Sequence, residues 1–165
     1  MNASTSTPAG PAPVAAAPTG RETPGDGASS TGSPLVANLL QAVNFALADA
    51  LAADPDVVIL GEDVGTNGGV FRATDGLQAR FGSRRVMDTP LAEGLIAGLA
   101  VGMATQGLKP VAEIQFMGFL PATVEQLGSH AARMRNRTRG RLSCPLVIRA
   151  PFGGGIRAPE LHSES

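Results

Sequence analysis

At 165 residues the chain is long enough for one domain with a real core. Its formal charge of −1 offers no global basic field for nucleic acid or a membrane surface. A single cysteine, Cys144, excludes an internal disulfide and a cysteine-based zinc site.

Residues 1–34 are mostly Ala, Pro, Gly, Ser and Thr, with Val14 as the only branched aliphatic residue. Such a segment cannot bury enough apolar surface to offset an ordering entropy of roughly 1–2 kcal/mol per residue. It reads as a disordered tail, followed by one domain over 35–165. The N-terminus lacks the basic start and apolar run of a secretory signal, and it is too poor in arginine for a transit peptide. Cytoplasm is the expected compartment.

Ser33 and Pro34 offer an N-cap and a first-turn proline. Val36, Leu39, Leu40, Val43, Leu47 and Leu51 then recur at helical spacing, and Asp54-Pro55 ends the helix. Val57-Val58-Ile59-Leu60 is wholly apolar, as expected of a buried parallel strand. A glycine-rich loop runs to Gly69, followed by a short helix over 75–80 and a strand over 85–87. Residues 92–106 read as a helix and 111–114 as a strand. Leu120, Val124, Leu127, Ala131 and Met134 mark one further helix, and Leu146-Val147-Ile148 a last strand before the loop from Pro151. Helices alternating with buried strands mean an α/β fold with a mostly parallel sheet. In such sheets chemistry sits beyond the carboxyl ends of the strands. That rule selects Gly61-Glu62-Asp63, Asp88-Thr89-Pro90 and the loop after Arg149.

Each candidate has a plain structural reading beside the functional one. Glu62 and Asp63 could serve a ligand or cap the amides of the glycine loop. Glu93 opens a helix, where the dipole favours a carboxylate. An apolar wall of Leu91 and Leu95 would equally help it share a proton with a ligand nitrogen. Gly94, Gly98 and Gly102 form a ridge suited to close helix packing, in this chain or with another subunit, and the stretch is too short to span a bilayer of ~20 residues. Arg133, Arg135, Arg137, Arg139 and Arg141 could meet nucleic acid, but no aromatic residue is interleaved and a solvated helix end explains them better. His162 is an ordinary surface histidine or an acid–base group. His130 and Cys144 read as structural. Gly25-Asp26-Gly27 resembles the start of a diphosphate–magnesium motif, but it lies in the tail with no strand before it, and is set aside as chance.

Six stretches in order resemble the E1 β subunits of thiamine-diphosphate-dependent 2-oxo acid dehydrogenases, of pyruvate or branched-chain type. They are Leu60-Gly61-Glu62-Asp63-Val64, Gly68-Gly69-Val70-Phe71-Arg72, Asp88-Thr89-Pro90-Leu91-Ala92-Glu93, Val111-Ala112-Glu113-Ile114-Gln115-Phe116, Arg149-Ala150-Pro151-Phe152-Gly153-Gly154-Gly155 and His162-Ser163-Glu164-Ser165. The resemblance covers 35–165, less than half of such a subunit, and Glu113 to Phe116 with Phe71-Arg72 lean toward the branched-chain type. It implies a truncated transketolase-like pyrimidine-binding fold and oxidative decarboxylation of a 2-oxo acid, with acyl transfer to lipoyl-E2. It assigns Glu93 to N1′ of the cofactor's aminopyrimidine, Glu62 to the cofactor pocket, Phe119 to the pyrimidine face and His162 to acyl transfer. The carbonyls of Cys144, Leu146 and Val147 match part of a potassium site. The α subunit would hold the diphosphate and Mg²⁺. The implied partners are that α subunit, a second β subunit and the E2 core, so the chain alone is expected to be inactive. Leu161 and Glu164 depart from the usual residues beside the active-site histidine. Another thiamine enzyme of this fold, such as a transketolase or deoxyxylulose-phosphate synthase, is one alternative. A non-catalytic interaction module is the other.

Overall fold

A computed structural model describes residues 36–153 together with 157, 158, 160 and 162. The expected tail over 1–34 lies outside the described residues, as do Ser33 and Pro34. Helix α1, Leu39–Ala53, is instead capped by Asn38. The Asn38 side chain accepts the Gln41 amide at 2.8 Å, and the Gln41 side chain accepts the Asn38 amide at 3.0 Å. This reciprocal pair satisfies two amides that the first turn leaves without helical partners. Val36 and Leu39 therefore precede or open the helix, and both are exposed.

Strands β1 (Val57–Gly61), β2 (Val86–Asp88), β3 (Lys109–Glu113) and β4 (Val147–Arg149) form one parallel sheet in the order β2-β1-β3-β4. Helices α2 (Leu77–Phe81) and α3 (Glu93–Thr105) complete the expected α/β alternation. Each strand alternates its side chains between two faces. On one face Val57 and Ile59 pack with Leu47 and Leu51 of α1, Leu77 of α2 and Val86. On the other, Leu60, Ala112 and Ile114 pack with Ile96 and Ala100 of α3. Being covered on both faces is why β1 is apolar throughout.

The single helix expected from Leu120 to Met134 is not formed. The segment divides into a 3₁₀ helix, Met117–Thr123, a π-helical turn, Gln126–Ala131, and a four-residue helix α4, Met134–Arg137. Pro121 sits inside the 3₁₀ stretch and cannot donate a backbone hydrogen bond. The Ala132 amide then reaches back five residues to the Leu127 carbonyl at 2.9 Å, widening the coil. The segment lies on the glycine ridge of α3. A β-carbon at Gly94 would stand 3.4 Å from the Ala122 carbonyl, and one at Gly98 3.6 Å from the Gln126 side chain. Gly102 faces open space.

Candidate active site at the carboxyl ends of the strands

The parallel register lines up the ends of the four strands. Asp88, Gly61, Glu113 and Arg149 form one row across the sheet. Glu62 leaves β1 directly into this row and is 5% exposed, whereas Asp63 is exposed. Its Oε1 is buried and has no hydrogen-bond partner. Burial raises the Glu62 carboxyl above its ordinary range, and the charges of Glu93 and Asp63 push it the same way, against the Ala92 amide, which donates to it. The charge of Glu93, at the start of α3, is therefore felt at Glu62.

Thr89 lies in the selected Asp88-Thr89-Pro90 stretch, but nothing in the sequence assigned it a role of its own. Its backbone amide donates to the Gly61 carbonyl at 3.0 Å, and its buried Oγ1 has no partner. Among the described residues Glu62 Oε1 and Thr89 Oγ1 are the two buried side-chain polar atoms left unsatisfied. Buried polar groups are nearly always hydrogen-bonded, so two orphans on neighbouring strand ends mark a place for a polar ligand. The only signal in the sequence was the position of Thr89 inside Asp-Thr-Pro after a strand.

Glu93 opens α3 and is half-buried. The expected apolar wall around it is not there: Leu91 is 78% and Leu95 46% exposed. They point outward because the buried face of α3 is Ile96, Ala97, Ala100, Val101 and Ala104. The buried acid of the pair is Glu62.

The loop after β1 is held by its neighbours. The Asp88 carboxylate accepts the Gly65 amide at 2.6 Å, and Thr74 Oγ1 donates to the Val64 carbonyl at 2.7 Å. At the far side of the row Glu113, almost fully buried, is paired with Arg149. Burial pushes the Glu113 carboxyl up, and the Arg149 guanidinium pulls against that.

Phe119 and His162 are brought together. Their ring centres lie 5.4 Å apart, nearly perpendicular, and Phe116 meets His162 at 4.5 Å and Phe71 at 5.6 Å. His162 also lines a cavity of about 490 Å³ with Phe71, Arg149 and the first turn of α1. The lining of that cavity does not include Glu62 or Glu93. Cys144, Leu146 and Val147 enter β4 on the sheet edge, and the Cys144 carbonyl already accepts the Leu146 amide at 3.0 Å. Burial raises the Cys144 thiol. Among the described residues no group of three or more His, Cys, Asp or Glu side chains could hold a metal ion.

Residues 37–165 match the transketolase pyrimidine-binding domain. The chain belongs to that family. It is 55% identical over 130 residues to the pyruvate dehydrogenase E1 component subunit beta of Acholeplasma laidlawii, covering 79% of this chain and 40% of that protein. The Bacillus subtilis protein of the same name is 53% identical over 127 residues, covering 77% of this chain and 39% of its own length. The one from Mycoplasma pneumoniae is 53% identical over 129 residues, with 78% and 39% covered. This chain is therefore a homologue of those β subunits and spans about 40% of their length. Among the described residues no helix is long and apolar enough to cross a membrane.

Proposed function

We propose that this chain forms the pyrimidine side of a thiamine-diphosphate site in an E1 β subunit that decarboxylates a 2-oxo acid and passes the acyl group to a lipoyl group on E2. Pyruvate is the proposed substrate, because the relatives at 53–55% identity carry that name. The observation that carries the reading is the pair of buried, unsatisfied atoms on Glu62 and Thr89 beside the carboxylate of Glu93. A polar heterocycle placed there would satisfy both. When bound, thiamine diphosphate supplies the carbon nucleophile that attacks the keto carbon and accepts the electrons released with CO₂.

The chain's own residues do the rest. The Glu93 carboxyl would meet N1′ of the aminopyrimidine ring, where it can share a proton. Glu62, buried and pushed toward its neutral form, lets the two acids sit side by side with one charge between them. Phe119 would cover the ring face, and His162, held by Phe116 and Phe119, would offer a proton donor for acyl transfer. An α subunit would hold the diphosphate and Mg²⁺, with a second β subunit completing the assembly. Potassium at the Cys144, Leu146 and Val147 carbonyls belongs to the same reading, with one lone pair of the Cys144 oxygen already in use. The cytoplasm is the proposed compartment.

Glu93→Gln tests the reading. Gln keeps the shape but cannot share a proton. In a complete β subunit with this sequence, assembled with its α subunit, kcat is expected to fall about 10²–10⁴-fold while assembly is unchanged. A variant with near-normal kcat would reduce Glu93 to a helix-start carboxylate.

A further inference from the structure

Charge is segregated along this chain. Residues 126–159 hold seven arginines and no acidic residue, while the remainder holds six cationic and fourteen acidic side chains. Five of the seven lie between Arg133 and Arg141, and all five are exposed. None of them has an ionic partner among the described residues, where the ion pairs are Lys109–Asp54 and Arg149–Glu113. Five like charges within nine residues repel one another unless a counter-charge is supplied.

The backbone makes this a built surface. The chain reverses after α4, with left-handed Arg139 (φ 54°) and Gly140 (φ 77°). Thr138 Oγ1 accepts the Leu142 amide at 3.1 Å and closes the turn. Arg137 donates to the Ser129 carbonyl at 3.0 Å, and Arg141 to the Thr138 carbonyl at 3.1 Å. These bonds anchor two of the guanidinium groups and leave their remaining donors facing solvent. Since β3 and β4 are parallel, the segment leaves the carboxyl end of β3 and returns to the amino end of β4. The arginine turn therefore stands at the opposite end of the sheet from Glu62 and Glu93.

We propose that this turn docks an acidic segment of another protein, one presenting several carboxylates in a row. Arginine's planar fork matches a carboxylate with two parallel hydrogen bonds. Nucleic acid is the poorer fit. The chain has no Trp or Tyr, and no Phe lies between 120 and 151, so His130 is the one aromatic ring that this segment offers for stacking on bases. The proposal does not depend on the catalytic reading, because the two surfaces are at opposite ends of the strands.

The test uses the whole chain and a fluorescent oligoglutamate peptide, read by anisotropy, with oligoglutamine, oligodeoxythymidylate and duplex DNA as comparators. Oligoglutamate is expected to bind more tightly than either nucleic acid, and oligoglutamine not at all. Replacing all five of Arg133, Arg135, Arg137, Arg139 and Arg141 by Gln is expected to weaken binding about tenfold or more. Replacing them by Lys keeps the charge but loses the fork, and is expected to give an intermediate affinity. Should the fivefold Gln variant lose its native circular dichroism, Arg133→Gln/Arg135→Gln gives the same comparison with a smaller loss. Tighter binding of nucleic acid, an unchanged Gln variant, or a Lys variant equal to the native chain would each overturn the proposal.

Discussion

Glu62 was legible in the sequence as a carboxylate just past a buried strand, and its burial was not. Only the packing of β1 between two layers shows that this carboxyl is driven toward its neutral form. The sign of the consequence follows from linkage. Its carboxyl is raised in the folded chain, so the native state binds a proton more readily than the unfolded one. Stability is then full below the ordinary glutamate range and falls as pH rises through the raised value. Glu62→Gln removes that loss. The variant should melt above the native chain at pH 7 and converge with it below the ordinary range, read by thermal melts across pH. A variant that melts lower at neutral pH would mean that the carboxylate is a net stabiliser. Glu113 and Arg149 were less legible, because register alone makes them neighbours. Glu113 is almost fully buried, while the Arg149 side chain is 23% exposed and can recover water. Arg149→Met should therefore cost about 3–5 kcal/mol in urea denaturation, and Glu113→Gln clearly less. Equal costs would show that the two ends of the pair are equally desolvated.

At the level of elements, the strands and α3 could be read from sequence because an apolar run or a helical period is a strong signal over many residues. The segment from 117 to 137 could not. Its apolar residues keep a helical period, but Pro121 and the glycine-ridge contact with α3 impose 3₁₀ and π turns that period alone does not reveal. The start of α1 was misplaced for a similar reason. Ser-Pro and Asn-x-x-Gln both signal a helix start, and the reciprocal Asn38–Gln41 bonds decide between them. The glycine loop gives a cleaner test of how an element is held. Gly68 and Gly76 are both left-handed, with φ of 76° and 74°. A β-carbon at Gly68 would lie 2.7 Å from the Asp75 Cα, while one at Gly76 would meet nothing within 4 Å. Gly76→Ala should cost only the left-handed backbone term, roughly 1–2 kcal/mol. Gly68→Ala should cost measurably more, because backbone must move. Similar urea midpoints for the two variants would show that the loop yields freely.

The whole molecule carries the features of a part that meets other parts. Leu95 and Leu99 leave exposed apolar side chains on α3, with Leu91 exposed just before it, and Val147 is 55% exposed on the edge strand β4. Sheet edges and exposed apolar side chains of this kind drive association unless something covers them. Among the described residues, the strand ends that carry Glu62, Asp63, Asp88 and Glu93 have no group of three or more His, Cys, Asp or Glu side chains able to hold a metal ion. On the proposed reading the diphosphate and its Mg²⁺ are held by a second subunit, so this chain alone would offer only the pyrimidine contacts. The purified chain is therefore expected to self-associate in light scattering. It should also bind thiamine diphosphate with Mg²⁺ more weakly than roughly 1 mM, equivalent to only about 4 kcal/mol. Isothermal titration checks the second point, and assay with pyruvate should show no decarboxylation. A chain that stays monomeric and binds the cofactor at micromolar concentration would mean that Glu62, Thr89 and Glu93 form a complete site rather than one wall of it.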